Sequence, residues 1–412
     1  VSCALTIAEG AGLAQASADA LLADAADRHT RGEWAVAERL YRRVLKLRPG
    51  DGNALNLLSV LARQRGDLPM ALALSAQALA TQPDSPVFLA SRGATLAEAG
   101  HLEAAIAALR AALARRPQDA TSLRNLGQAL CALGQAPAAL APLRQAVALA
   151  PNSAEAWLAL AHGWREAGDA AQAADAARRA IALPAPAIAA QAHFLLAALG
   201  AEAVPDRAPA DYVRDLFDQY APRFDADLEG RLGYRTPALL AELLHAAGIA
   251  ADGTRRVLDL GCGTGLSGIA LRPFARRLEG LDLSPRMLAE ARARGLYDAL
   301  HEADLVEFLA RPRGGFDLLA AADVLNYLGD LGPALAGMAR ALPAGGLAAF
   351  SIEAGEAAPY ALGPGLRYRH DPGHVLALAD AAGLALVAQR DATLREEQGR
   401  PVAGMLLVLA RR

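Results

Sequence analysis

Lysine is almost missing from this chain: Lys46 is the only one among 41 basic residues. Without a lysine near any glycine-rich turn, a phosphate-cradling P-loop and Schiff-base chemistry are both excluded. Cysteine is nearly as scarce. Cys3, Cys131 and Cys262 are odd in number and far apart, so they build no disulfide framework and offer no Cys/His spacing for zinc. No metal is expected, and such a cysteine pattern suits a reducing cytoplasm. Aromatic residues make up only 5% of the chain. No uncharged apolar run reaches the length of a membrane span, and the first residues lack the basic region of a signal peptide. Neither sign of charge dominates: 41 basic against 44 acidic residues leave a net charge of −3. A nucleic-acid or anionic-membrane partner is therefore not expected.

Alanine, by contrast, leads a hydrophobic content of 54% in 412 residues. That favours closely packed helices, in a chain long enough for two domains. Gly32, Gly66, Gly100, Gly134 and Gly168 recur every 34 residues, as do Pro49, Pro83, Pro117 and Pro151, and Ala37, Ala71, Ala105, Ala139 and Ala173. This is the tetratricopeptide pattern, with two helices per unit. Glycine ends the first helix, alanine lets the second pack on it, and proline stops the second. The units run over 18–51, 52–85, 86–119, 120–153 and 154–187, behind an N-terminal tail at 1–17 and ahead of a capping helix at 188–200. Asn56, Arg92, Arg124, Asn125 and Arg165 lie where repeat proteins display ligand contacts, without forming a basic clamp. The solenoid is read as a docking surface for a protein or peptide, or as an arm for self-association. A linker at 201–210 holds two prolines and no helical period.

Residues 257–265 read Val-Leu-Asp-Leu-Gly-Cys-Gly-Thr-Gly, and residues 281–284 read Leu-Asp-Leu-Ser. An apolar strand runs into a glycine turn, and the next strand ends in an acid that can take two ribose hydroxyls. Two nucleoside cofactors fit that frame. Gly263, Gly265 and Gly268 satisfy the G-x-G-x-x-G of a dinucleotide enzyme. Asp259 discriminates: a carboxylate there repels a diphosphate and attracts an ammonium and a sulfonium. With Asp259 in place the D-x-G-x-G-x-G segment resembles the class I S-adenosylmethionine-dependent methyltransferases. Strand and helix alternate through 256–353, and two further strands at 384–391 and 403–410 close as a hairpin. The fold class expected is therefore α + α/β, a tetratricopeptide α-solenoid followed by a Rossmann-like seven-stranded class I methyltransferase domain at 211–412.

That resemblance assigns roles. Gly261, Gly263 and Gly265, with the small Cys262 between them, cradle the methionine end of the cofactor, and Asp259 supports its amino group. Asp282 takes the ribose, while Leu283 packs on the adenine with Met287 near it. Asp304 accepts from the adenine amino group beside Leu305, and Asp323 lies under the sulfonium. An F-D-x-x-A-x-x-F-D stretch from Phe217 to Asp225 resembles the helical cap of small-molecule methyltransferases, placed here at 211–250. It puts Tyr220, Phe224 and Tyr234 against substrate, with Phe224 where a tyrosine is common. Downstream, Phe350-Ser-Ile-Glu353, Tyr360, Arg367-Tyr368-Arg-His370 and His374 resemble a subgroup of methyltransferases carrying tetratricopeptide repeats, except that His374 replaces a tyrosine. His370, then Glu353 and Tyr360, are the expected bases, and Arg367 and Tyr368 the substrate contacts. Three functions fit: methyl transfer to an oxygen or nitrogen of a metabolite or protein, a cofactor-binding scaffold that transfers nothing, and a nicotinamide oxidoreductase.

Overall fold

The computed structural model describes residues 17–230, 233–311, 315–357, 359–397 and 400–412. The tail residues 1–16, Cys3 among them, and Leu232 of the expected cap lie outside these. The chain divides into two compact units, Val1–Ala176 and Ala177–Arg412. Among the described residues no helix is long and apolar enough to cross a membrane.

The first unit is a series of helix pairs: α1 (17–30) with α2 (Trp34–Leu47), α3 (Gly52–Gln64) with α4 (Leu68–Thr81), α5 (Pro86–Glu98) with α6 (Leu102–Arg115), α7 (Ala120–Ala132) with α8 (Ala136–Leu149), and α9 (Ala154–Glu166) followed by α10 (Ala170–Ile181), within which the division falls. The 34-residue period has a backbone cause. Gly32, Gly66, Gly100, Gly134 and Gly168 all sit at φ between 77° and 86°. That is a left-handed conformation which a side chain resists. The five period alanines are each 0% exposed. A further period lies in the caps, where Asp51, Ser85 and Ser153 accept from Ala54 N, Phe88 N and Ala156 N. Of the expected ligand contacts, Arg92 donates inward to Leu72 O and Ser75 Oγ, Arg124 to Asn125 and Arg165 to Glu166. Asn56 is buried at 4% exposure. Replacing Ala105 by leucine in this fully buried position is expected to cost about 1–3 kcal/mol. The shift in the denaturant midpoint of the first unit measures it.

After the end of α10, the second unit continues with α11 (Pro186–Ala198). This helix, expected at 188–200 as the cap of the repeats, falls within the second unit. Its Phe194 ring lies 5.3 Å from Tyr212 and 6.1 Å from Tyr368. The segment read as a linker is irregular but fastened. Ala208 N donates to Tyr327 O at 2.9 Å, and Asp206 O accepts from Gly329 N at 2.7 Å. Then come α12 (Ala210–Tyr220), α13 (Phe224–Gly230) and α14 (Thr236–Ala246).

The sheet follows: β1 (Arg255–Leu260), α15 (Leu266–Leu271), β2 (Ala275–Asp282), α16 (Pro285–Arg294), β3 (Ala299–Glu302), α17 (Leu305–Ala310), β4 (Leu318–Ala321), α18 (Gly332–Ala341) and β5 (Leu347–Glu353). A small hairpin of β6 (Tyr360–Leu362) and β7 (Tyr368–His370) precedes α19 (Pro372–Ala381), β8 (Leu384–Glu397) and β9 (Arg400–Arg411). The seven-stranded order is β3-β2-β1-β4-β5-β9-β8. Strands β1 to β5 pair in parallel, and β9 runs antiparallel to β5 and β8. Central β4 and β5 are buried along their whole length, as parallel strands covered on both faces must be. Two differences from the expected layout matter for the site. The β6–β7 hairpin and α17 are too short for any period to register in the sequence. The final hairpin is longer than expected, and β8 carries a register irregularity between Thr393 and Arg395. At such a bulge two successive side chains can turn inward; here they are Leu394 at 0% and Arg395 at 4% exposure.

Candidate functional site

At the carboxyl ends of β1, β2 and β4 lies a cavity of about 360 Å³. This is where a ligand belongs in an open parallel sheet. The turn after β1 supplies one wall. Gly261 has φ 69°, and a Cβ built on it would stand 2.0 Å from Val324 Cγ2. It must therefore be glycine on two counts. Gly263 (φ 53°) also faces the cavity. Gly265 (φ 93°) does not; it stands behind the turn, where Arg294 and Tyr297 close to 3.1 Å of its would-be Cβ.

Asp259 at the end of β1 is 0% exposed. Its Oδ2 accepts from Ser267 Oγ at 2.5 Å and from Tyr297 OH at 2.6 Å. Its Oδ1 is buried without a partner among the described residues, and Asp259 stands just behind Gly261 and Ser267 rather than on the cavity wall itself. Burial pushes its pKa up to about 6, Ser267 and Tyr297 opposing the rise and Asp282 adding to it. An orphaned carboxylate oxygen held at fixed angle is suited to receive a cation. Tyr297 escaped the sequence reading. Its one signal is the glycine pair Gly268 and Gly280, which leaves room for its ring: a Cβ at either would lie within 2.9 Å of it. Asp282 is also pushed up to about 6 by burial, against backbone donors at Ser284, Gly263 and Leu283; Gly263 N and Ser284 N each reach it at 2.9 Å. The Cys262 thiol lines the cavity but is pushed well above its ordinary range by burial and the nearby acids, so it stays protonated.

Leu283, Leu305 and Asp304 line the same cavity. Asp304 Oδ1 caps α17 through Val306 N and Glu307 N, and its Oδ2 lies 3.5 Å from Arg207. Met287, in the first turn of α16, is fully buried and does not line the cavity. The cap closes over the opening. Phe217, Tyr220, Phe224 and Tyr234 face inward, with Phe217 edge-on to Tyr327 at 5.4 Å. Both acids of the F-D…F-D stretch act as latches. Asp218 accepts from Ser284 Oγ at 2.5 Å; Asp225 accepts from Thr264 Oγ at 2.5 Å and pairs with Arg294. The motif thus ties the cap to the glycine turn and to the start of α16.

The substrate end differs most from expectation. His370, the first expected base, is 1% exposed and off the cavity wall. Its Nε2 donates to Leu328 O at 2.8 Å, and burial lowers its pKa, against the pull of those carbonyls. Tyr360 donates to Asp206 Oδ1 at 2.9 Å and Tyr368 to Pro205 O at 2.8 Å. Neither lines the cavity. All three fasten the 204–209 strap and the 328–329 loop, so they position the cavity wall from behind. Glu353 is also withdrawn: its Oε1 accepts from Asn326 Nδ2 at 3.1 Å and pairs with Arg395. Arg367 does line the cavity, paired with Glu397. Arg395, missed in the sequence, is the hub. It reaches Asp323 Oδ2 at 3.0 Å, Glu397 at 2.8 Å, and Glu353. Asp323 holds φ 55° and Leu366, beside Arg367, φ 61°; backbone strain of this kind collects at binding sites.

Residues 257–346 match a family described as a methyltransferase domain, and residues 21–86 and 92–154 match tetratricopeptide repeats. "Methyltransferase-like protein 27" of Homo sapiens is 39% identical over 101 residues, 24% of this chain and 40% of that protein. An "Uncharacterized methyltransferase" of Bacillus pumilus (strain SAFR-032) is 30% identical over 103 residues, 24% of this chain and 46% of that protein. The chain thus spans less than half the length of the curated relatives it matches. Among solved structures, the N-methyltransferase NodS from Bradyrhizobium japonicum WM9 in complex with S-adenosyl-l-homocysteine gives a TM-score of 0.35 at 21% identity, covering 42% of this chain and 85% of that one. The chain carries tetratricopeptide repeats followed by a methyltransferase domain with the seven-stranded class I sheet.

Proposed function

We propose that the second unit binds S-adenosylmethionine in this cavity and transfers its methyl group to an oxygen or nitrogen of a small metabolite or a protein. The observation that carries this is Asp259 Oδ1, a buried carboxylate oxygen with no partner among the described residues, two positions ahead of Gly261, which lines the cavity and where a Cβ would strike Val324. Those residues fit the cofactor's ammonium and the close approach of its methionine end. Asp282 would take the ribose hydroxyls through its remaining lone pairs. Leu283 and Leu305 would flank the adenine, Asp304 Oδ2 would accept from its amino group, and Asp323 would face the sulfonium. When bound, the cofactor supplies a methyl group on a cationic sulfur. The chain's own part is to align the acceptor and keep water out, which the latched aromatic cap is built to do. The repeats are read as the surface that docks a protein partner or a second copy. A cofactor-binding scaffold shares every binding prediction, and cofactor consumption separates the two.

Calorimetric titration with S-adenosylmethionine, S-adenosylhomocysteine and NAD tests the reading. Only the first two should bind. Asp259 and Asp282 sit near 6 in the free protein, so near pH 6 each is partly protonated and must ionise to hold its ligand groups. Affinity should therefore rise as pH rises through 6, with protons released near pH 6 and few at pH 8. The free protein has the opposite trend. A raised carboxyl favours the folded state most below its unfolded range and loses that contribution as pH rises through 6. Titrations in two buffers of different ionisation heat read the proton count, and no release near pH 6 would place the cation elsewhere.

A further inference from the structure

Resting on that cofactor reading, we propose that the methyl acceptor is an amine, whose N–H is received by Asn326 Oδ1 beside Asp323 at the cavity floor. Asn326 lines the cavity and is 3% exposed. Its orientation is fixed by chemistry. Glu353, held by Arg395, can only accept, so the amide must turn its Nδ2 toward it. The other end, Oδ1, is then an acceptor, and it is buried with no partner. Buried acceptors in folded proteins find donors, and none among the described residues reaches this one.

Three nucleophile classes meet that requirement unequally. A carboxylate has no hydrogen to give. An alcohol has the hydrogen but must lose it to a base during transfer. Among the described residues the cavity wall has no histidine and no lysine, and the carboxylate of Asp323 is already engaged by Arg395 and Ser351. An amine entering as its free base needs no base at all. Its lone pair forms the N–C bond as the C–S bond of the sulfonium donor breaks and that pair stays on sulfur. Positive charge passes from sulfur to nitrogen, and the product leaves as a methylammonium. Asp323 and the aromatic rings of Phe217 and Tyr327, which line the cavity, favour that charge where it arrives.

The test uses the full chain, S-adenosylmethionine, and two matched sets: phenethylamine, phenylacetate and phenethyl alcohol, then butylamine, butyrate and butanol. Release of S-adenosylhomocysteine is followed, and its binding is measured separately by calorimetry. The amines should be consumed at least about tenfold faster than their partners. Asn326→Leu should lower kcat/KM for the amine by about tenfold while S-adenosylhomocysteine affinity holds. The comparison on the unaltered chain decides the matter even if that variant fails to fold. Preference for the acid or alcohol, or consumption of none while S-adenosylhomocysteine binds, overturns the amine assignment and leaves the cofactor reading standing. Failure of S-adenosylhomocysteine to bind overturns the cofactor reading and the assignment with it.

Discussion

Replacing Arg395 by methionine is expected to destabilise the second unit by about 3–5 kcal/mol, the usual cost of removing one partner from a buried charge cluster. The guanidinium is 4% exposed and answers three carboxylates. Methionine fills much of its volume but pairs with none of them. The pH dependence separates lost charge from lost packing. Burial raises the Glu397 carboxyl, but Arg367 and Arg395 outweigh it and hold it below its ordinary range. A depressed carboxyl contributes stability above its unfolded range and loses it as pH falls through the folded value. Without Arg395 the cluster's carboxyls shift upward, and a raised carboxyl regains stability as pH falls. The two unfolding curves should therefore converge toward acid. A difference that stays constant from pH 7 to pH 4 would assign the loss to packing. Adding Glu353→Gln to the variant should recover part of the loss, because it removes a stranded charge.

Arg395 also shows where the sequence stops being readable. The repeats could be read because one backbone requirement, a left-handed residue after each first helix, recurs at a fixed interval and only glycine meets it cheaply. The glycine turn after β1 could be read for a like reason, since Gly261, Gly263 and Gly265 all hold positive φ. Arg395 and Glu397 lie beyond the end expected for β8, in an Arg-Glu-Glu run that looks like solvated edge strand. A bulge turns Arg395 inward, and no local pattern announces a bulge. Asn326 carried no signal either, because its importance comes from Glu353, a neighbour in space 27 positions away. His370 failed in the other direction. Its family-like surroundings are real, but three-residue strands put it under the 328–329 loop, where its Nε2 serves backbone carbonyls. The motif fixes the wall of the cavity, and the chemistry faces inward from other elements.

Substituting asparagine for Asp259 should split binding from stability. The variant amide oxygen can keep the bonds from Ser267 and Tyr297, but its NH₂ then occupies the place of the orphaned oxygen and faces the cofactor's ammonium donor to donor. Loss of a charge-assisted bond costs about 1.5–3 kcal/mol, so affinity for S-adenosylmethionine and S-adenosylhomocysteine should fall roughly ten- to hundredfold. The free protein should be as stable as the parent or more so near pH 7. A carboxyl pushed up to about 6 by burial is a group that the fold holds charged at a cost, and a neutral amide removes that cost. Binding sites commonly retain such strain for function. Proton release near pH 6 should shrink as well, since one of its two sources is gone. Calorimetry and thermal unfolding of the same sample decide it. Unchanged affinity would mean that the ammonium is held elsewhere. Lost stability together with lost affinity would mean that Asp259 serves the fold through Ser267 and Tyr297 before it serves a ligand.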